Sequence, residues 1–299
     1  DNCKAIDERE ESHSGTMLDF VNRVAEAIEN ANPDKAIDTL AYQYTRKPPK
    51  NIRPRKNVIV RLCSIECCFS HALEDCEQNA SFKDDIVGWS KISDRLYIWD
   101  YVTDFSHYIM PFPNLYVLKP NIQFFINHGV KGIFEEGNYS GGGGGELAEL
   151  RAYLLAKLLW NPDYDTDRAI DEFLEGYYGK SAAPIREYIN ILHGKVMCDK
   201  NLHMNIWAKP DIGYLSADII SRAEELFDEA EKLAGDEDVL ARVLVARLPV
   251  QYVRISTLPA TDPERARIIE KFFKVVDDAG ITSINEGRNM DAYKKSLGL

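Results

Sequence analysis

The first half of the chain alternates short apolar runs with helical patterns, and this alternation limits the fold more than any other feature of the sequence. The apolar runs indicate four strands, at residues 36–44, 57–65, 96–102 and 131–136. Apolar residues recur at helical spacing before and between these runs, at residues 17–30, 81–92 and 118–128. Strands that alternate with helices form a parallel sheet, so we predict an α/β fold.

The second half of the chain shows helical patterns alone. Six helical segments follow Glu146, at residues 147–160, 167–178, 182–197, 216–234, 236–257 and 262–279. This pattern predicts an α-helical domain after residue 160. Between the two halves lies a run of five glycines, residues 141–145, which we interpret either as a flexible loop over a site or as a spacer.

Composition and charge argue against several classes of function. The net charge is -12 over 299 residues, and an acidic chain repels the phosphates of nucleic acids. The longest strongly apolar run, residues 154–160, is too short for a membrane span. No signal peptide is visible at the start of the sequence. The sequence contains neither a glycine-rich dinucleotide fingerprint nor a P-loop, so we predict no cofactor.

Six cysteines and six histidines raise the question of a metal site. Four of the cysteines lie close together, but their spacing matches no common zinc pattern. We expect buried thiols beside a strand, with a disulfide as the alternative if the protein is exported. The histidines are dispersed without metal-ligand spacing, so we predict no metal. The clustered cysteines are Cys63, Cys67, Cys68 and Cys76.

Carboxylates and aromatic residues follow the predicted strands. In a parallel (β/α) architecture, the carboxyl ends of the strands and the loops after them form the functional face. The first strand ends on Tyr42 and Tyr44, and Glu66 follows the second. Asp1 lies just upstream of the first helix, where another strand would end. The last two strand ends carry Trp99, Asp100, Tyr101, Glu135, Glu136, Asn138 and Tyr139.

These residue types suit the hydrolysis of a glycosidic bond. A glycosidase needs a carboxylic acid that protonates the leaving oxygen and a second group that stabilises or attacks the anomeric carbon. Glu135 and Glu136 are adjacent on a strand, so their side chains point to opposite faces of the sheet. For each acid alone, a helix cap or a surface ion pair is the structural alternative. The candidate catalytic residues are Asp1, Glu66, Asp100, Glu135 and Glu136.

Aromatic rings stack on the apolar faces of sugars, so the aromatic residues near the strand ends are candidates for substrate binding. Two further candidates, His203 and Trp207, lie in a long irregular segment between helices. That segment either folds over the site or is a packed connection. The candidate substrate-binding residues are Tyr42, Tyr44, Trp99, Tyr101, Asn138, Tyr139, His203 and Trp207.

Five motifs together resemble a known family. They are CKAIDERE at residues 3–10, SGT at 14–16, LYIWDY at 96–101, GIFEEGNY at 132–139 and LAKLLWNP at 155–162. The set resembles a bacterial family, chiefly from gut Bacteroides, that was long known only as a domain of unknown function. That family has since been associated with endo-β-N-acetylglucosaminidases acting on N-glycans. The resemblance extends over nearly the whole chain up to about residue 210.

The resemblance implies a TIM-barrel glycoside hydrolase. Residues 1–160 would be the C-terminal half of a (β/α)8 barrel, with the predicted strands as barrel strands five to eight and Asp1 at the end of strand four. Residues 161–299 would be an α-helical domain. The mechanism would be retaining, with the substrate's own acetamido group in place of an enzyme nucleophile. The remaining strands would come from a longer parent chain, exported to the periplasm or cell surface.

Two other functions fit the same residues. An α-glucuronidase-like inverting hydrolase would need two carboxylates about 6.5 to 9.5 Å apart and a basic residue for the uronate. Arg61 and Lys131 are the basic residues within the predicted strands. A non-catalytic glycan-binding or structural module would keep the aromatic residues but lack a closed pocket. For either enzyme, the expected partner is a glycan or glycoprotein substrate.

Overall fold

The structure, a computed structural model, describes residues 2–299. Asp1, one of the predicted acids, lies outside the described residues. The strands are β1 (Ile37–Ala41), β2 (Val58–Cys63), β3 (Leu96–Tyr101), β4 (Gly132–Glu136), β5 (Ser283–Asn285) and β6 (Arg288–Asn289). The helices are α1 (Asn2–Glu10), α2 (Ser14–Ala31), α3 (Ala80–Ser90), α4 (Leu115–Asn127), α5 (Ala148–Trp160), α6 (Thr166–Tyr178), α7 (Ala182–Cys198), α8 (Ala217–Leu233), α9 (Glu237–Thr257), α10 (Pro263–Ala279) and α11 (Met290–Ser296).

The chain divides into two compact units. The first comprises the residues up to Cys68 together with Ala72–Val102 and Pro120–Glu136, and it contains strands β1 to β4. The second comprises Phe69–His71, Thr103–Lys119 and Gly137–Leu299, and it contains helices α5 to α11. No helix among residues 2–299 is long and apolar enough to cross a membrane.

Strands β1 to β4 form one parallel sheet in the order β1-β2-β3-β4. The predicted α/β fold is confirmed at this level, as a four-stranded parallel sheet among many helices. Strand β1 ends at Ala41, three residues earlier than predicted, because a short 3-10 turn follows at Gln43–Thr45. The Thr45 hydroxyl stabilises this turn by accepting from the Tyr42 backbone N–H at 3.1 Å.

The side chains of this sheet alternate between two faces with different surroundings. On one face, alternate apolar residues such as Leu62 and Ile98 are fully buried in the core of the first unit. Helix α2 packs against β1 and β2 and adds its own buried apolar residues to that core. On the other face, Leu40 and Phe134 are 41% and 44% exposed. We call this second face the accessible face; its members are Leu40, Arg61, Tyr97, Trp99 and Phe134.

The second unit is built mainly from long helices that pack as neighbours along the chain. Helices α7, α8, α9 and α10 contact one another in sequence order. Carboxylates cap several of these helices, because Asp165, Asp236 and Asp262 accept hydrogen bonds from the free backbone N–H groups at the starts of α6, α9 and α10. All six helices predicted here form, whereas α11 and the antiparallel pair β5–β6 were not predicted.

The glycine run at residues 141–145 packs closely against neighbouring atoms of the second unit. Gly142 has a φ of +65°, and a Cβ there would lie 2.1 Å from the carbonyl oxygen of Ala279. A Cβ at Gly144 would lie 2.2 Å from the Ser140 hydroxyl oxygen. The backbone passes too close to its neighbours for a side chain, so these positions require glycine.

Gly142→Ala should lower the free energy of unfolding by about 2–4 kcal/mol, because the left-handed conformation is costly with a Cβ and the overlap with Ala279 forces the backbone to move. Gly176→Ala is the matched control, since Gly176 lies in α6 with no atom within 4 Å of a Cβ there. The control should be neutral or stabilising by up to about 1 kcal/mol. Urea unfolding followed by circular dichroism measures both. A Gly142→Ala variant as stable as the wild type would contradict the close packing.

Candidate active site

Two acids lie side by side at the carboxyl ends of β3 and β4. Asp100 and Glu135 are direct partners in the parallel register of these strands. Paired residues on neighbouring strands point to the same face, and their backbones are about 4.8 Å apart. Their carboxyl groups interact, because the charge of Asp100 raises the pKa of Glu135. We call these two residues the carboxyl pair.

Asp100 is buried, and burial raises its pKa from 3.8 to about 6. Two hydrogen bonds oppose this effect by favouring the charged form: one from the Ser64 hydroxyl and one from the Tyr101 backbone N–H. Ser64 is itself fully buried at the end of β2, next to Asp100 on β3. Its backbone N–H donates to the Trp99 carbonyl at 3.1 Å, which continues the pairing of the two strands beyond Cys63.

Glu135 is the more strongly perturbed member of the carboxyl pair. Burial raises its pKa well above the usual range, and the neighbouring charge of Asp100 raises it further. Its Oε2 atom is buried and has no hydrogen-bond partner among the described residues. Burial and the neighbouring charge both favour the protonated form of Glu135. The pair therefore consists of two interacting acids whose pKa values are both raised, that of Glu135 well above the usual range.

The opposite side of the same strand ends presents aromatic residues and Glu136. The indole N–H of Trp99 donates to Glu136 Oε2 at 2.7 Å. The Trp99 ring packs edge-on against Phe134, with ring centroids 5.0 Å apart. Tyr101 pairs with Glu136 in the register, and burial raises the pKa of its hydroxyl above the usual range. Glu135 and Glu136 thus point to opposite faces of β4, as their adjacency on a strand predicts.

The tyrosines that follow β1 separate into two environments. Tyr42 is half-buried and close enough to Tyr101 for its charged form to raise the pKa of that residue. Tyr44 is 75% exposed, and its ring contacts the edge of His13 at a centroid distance of 5.7 Å. Tyr42 therefore lies near the aromatic group of Trp99 and Tyr101, whereas Tyr44 lies on the surface beside α2.

Glu66 takes part in an ion-pair network. Its carboxylate accepts a hydrogen bond from Arg46 at 2.8 Å, and the same guanidinium contacts Asp85 at 2.7 Å. Arg46 is largely buried and also donates to the Ser81 hydroxyl. This arrangement matches the ion-pair alternative considered for each acid. The network anchors the segment after β2, since it joins that segment to helix α3.

Four predicted substrate-binding residues belong to the second unit. Tyr139 is 63% exposed, and its hydroxyl donates to the Glu286 carbonyl. Asn138 lies beside the glycine run. Trp207 is 46% exposed. The His203 ring packs edge-on against His71, with centroids 5.3 Å apart.

Sequence reasoning missed two residues that shape the site, Ser64 and Arg46. Ser64 immediately follows β2, so its position at a strand end was a usable signal. Arg46 lies in a basic, proline-containing loop, and its burial could not be recognised from the surrounding sequence. Its partners lie 20 and 39 positions away along the chain.

The fold and these groups define an α/β protein with acids and aromatic residues at the carboxyl ends of a parallel sheet. Residues 1–190 match the family described as Domain of unknown function (DUF4838). The match covers more than half of the chain, and the protein belongs to this family. That description assigns no activity to the family. No curated protein matches the sequence.

Ionisation of Asp100 should destabilise the folded protein. Because its pKa is about 6 when folded and near 3.8 when unfolded, the folded state binds more protons between these pH values. The free energy of unfolding therefore falls as pH rises through this window, by about 3 kcal/mol. In Asp100→Asn this contribution is removed, and the lost charge also lowers the pKa of Glu135, which reduces the pH dependence further. Urea unfolding of both proteins at pH 4 and pH 7 measures the difference. An unchanged pH dependence in Asp100→Asn would show that Asp100 does not titrate as a buried acid.

Proposed function

We propose that the protein is a glycoside hydrolase that acts on N-acetylglucosamine-containing N-glycans. The observation that carries this proposal is the carboxyl pair, in which two neighbouring acids both have raised pKa values, that of Glu135 well above its usual range. Environments that drive the pKa values of two acids apart are typical of sites for acid–base catalysis. At the same strand ends, the opposite face of the sheet carries aromatic residues on which a sugar ring can stack.

In this proposal Glu135 is the proton donor. Its pKa is raised well above the usual range, which favours the protonated form, and a general acid must carry the proton that it delivers to the leaving oxygen. Asp100 is a positioning residue, because it is buried and acts through the charge that it places beside Glu135. When Glu135 gives up its proton, a second buried negative charge forms beside Asp100. The free energy cost of that charge favours return of the proton to Glu135.

Glu136 is the last residue of β4 and points to the opposite face from Glu135, so only a substrate that lies across the end of the strand would contact both acids. For such a substrate, Glu136 is the proposed partner for the acetamido group. In a substrate-assisted mechanism the acetamido oxygen attacks the anomeric carbon, and an enzyme carboxylate orients that group. Glu136 is held by the Trp99 indole at 2.7 Å and lies among aromatic side chains that suit a sugar. This choice of mechanism and of an endo-β-N-acetylglucosaminidase activity follows from the motifs that resemble such enzymes.

We further propose that β1 to β4 are the last four strands of a (β/α)8 barrel. The strands are parallel, lie in sequence order and have apolar residues on the accessible face, as the interior of a barrel would. Paired residues on this face form rows that run across the strands. One such row consists of Leu40, Arg61 and Tyr97. Gly132 ends that row, and the Tyr97 ring occupies the space where its side chain would be.

Glu135→Gln should reduce the release of glycan from a biantennary glycoprotein by roughly 100-fold or more, since an amide has no proton to donate. Glu66→Gln is the matched control, because Glu66 bonds to Arg46 and is assigned no step in the reaction. Mass spectrometry of the released glycans measures both rates. A folded wild type that binds but does not cleave the glycoprotein would favour a glycan-binding module instead.

Trp99→Phe should lower kcat more than it raises KM, because Glu136 is proposed to orient the attacking acetamido group. The substitution keeps an aromatic face but removes the N–H that holds Glu136, so the carboxylate loses its fixed orientation. A hydrogen bond to a charged group contributes about 1.5–3 kcal/mol, which corresponds to a change in kcat/KM of roughly 10-fold to 150-fold. Tyr97→Phe is the control, since Tyr97 lies two residues earlier on the same face. Identical kinetics for Trp99→Phe and the wild type would remove Glu136 from the proposed site.

A further inference from the structure

A pocket lies wholly within the second unit, between helices α5, α6 and α9 and the glycine run at residues 141–145. Its volume is about 250 Å³, which suits a ligand smaller than a typical drug molecule. Apolar residues at the start of α5 and along α9 form much of its wall. Among residues 2–299, Glu149 and Arg242 are the two charged residues that line it.

The charges of Glu149 and Arg242 are not neutralised by the protein. Both side chains are half-buried, yet neither forms an ion pair within the described part of the chain. By contrast, Arg247 and Arg254 on the same helix each contact a carboxylate, at 2.7 Å and 2.6 Å. A half-buried charge without a partner has lost part of its hydration, and a ligand of opposite charge would offset that cost.

Arg242 is held in place while most of its hydrogen-bond donors remain available. Its guanidinium lies over the Tyr177 ring, 4.5 Å from the ring centroid. Its Nη1 atom donates to the Tyr177 carbonyl at 3.0 Å, and this is its one hydrogen bond to residues 2–299. A guanidinium has five N–H donors and binds a carboxylate through two parallel hydrogen bonds. Arg242 is therefore oriented to receive a carboxylate.

Glu149 lies in the first turn of α5, against the glycine run. Its Oε1 atom is 2.7 Å from the position that a Cβ would take at Gly143, so the glycine leaves room for the carboxylate. Burial raises the pKa of the Tyr177 hydroxyl; the charge of Glu149 raises it further, whereas that of Arg242 lowers it. Both charges therefore act on the same side of the pocket, although they do not contact each other.

We propose that this pocket binds a small zwitterion, a molecule such as a free amino acid that carries one carboxylate and one ammonium group. The carboxylate binds Arg242, and the ammonium group binds Glu149. A ligand with a single charge would pair with one of these residues and leave the other unpaired, whereas a zwitterion provides a partner for both. The pocket does not include the carboxyl pair, and the proposal is independent of the proposed glycosidase activity.

Isothermal titration calorimetry of the full chain tests the proposal with zwitterions of increasing charge separation. The probes are glycine, L-leucine, β-alanine, 4-aminobutyrate and 5-aminopentanoate. One of them should bind most tightly, because its charge separation must match the distance between Glu149 and Arg242. Its two singly charged analogues, a carboxylate without the ammonium group and an amine without the carboxylate, should bind at least about tenfold more weakly.

Two variants assign the two charges of the ligand. Glu149→Gln should weaken binding of the best zwitterion at least about tenfold, yet should not weaken binding of the analogue that lacks the ammonium group. Arg242→Gln should weaken binding of both, because each carries the carboxylate. Arg222→Gln is the control and should bind as the wild type, since Arg222 lies on α8 outside the pocket and pairs with Glu187.

Three results would overturn the proposal. The first is a folded wild type that binds none of the five zwitterions at millimolar concentration, including the case in which it binds glucuronate or N-acetylglucosamine instead. The second is a singly charged analogue that binds as tightly as the best zwitterion. The third is unchanged affinity in both pocket variants. The comparison of analogues uses the wild type alone, so it decides the question even if a variant fails to fold.

Discussion

The in-register pairing of β3 with β4 is the constraint on which the candidate site depends. This register places Asp100 beside Glu135 and Tyr101 beside Glu136. Because side chains alternate along a strand, the same register sends the carboxyl pair to one face and the aromatic group to the other. A slip of one residue would exchange the faces of every side chain on β4 and place Glu136 beside Asp100. The placement of the candidate residues therefore follows mainly from the pairing of β3 with β4.

The carboxyl pair is not explained by stability. A buried carboxylate loses its hydration, and the raised pKa values of Asp100 and Glu135 record that loss. Ser64 offsets part of the cost for Asp100, whereas Glu135 Oε2 has no hydrogen bond from the described residues. A pair of apolar side chains at these two positions would avoid the penalty. A desolvation cost of this kind at a strand end is what the proposed catalytic role would require.

Short apolar runs between helical patterns predicted the sheet and the candidate residues at its edge, because those features depend on local sequence. The run at residues 96–102 contains both Trp99 and Asp100, and its period of two assigns them to opposite faces. The network of Arg46 with Glu66 could not be predicted, since it joins positions that only the folded chain brings together. The close packing of the glycine run was missed for the same reason. Its contact with Ala279 comes from a distant helix.

The segment that follows β2 links the acid pair to the rest of the first unit. Within five residues, the Ser64 hydroxyl donates to Asp100, Glu66 accepts from Arg46, and the Cys68 backbone N–H donates to the buried Asn79 side chain. The hydroxyl of Ser64 can hold Asp100 in its charged form only if its own backbone is fixed. The Arg46 ion pairs restrain that backbone through helix α3. The hydrogen bonds between Asn79 and Cys68 restrain it through the loop at residues 68–79. Rigid support of this kind is what a preorganised acid needs, because a small displacement of Ser64 would leave the Asp100 charge without compensation.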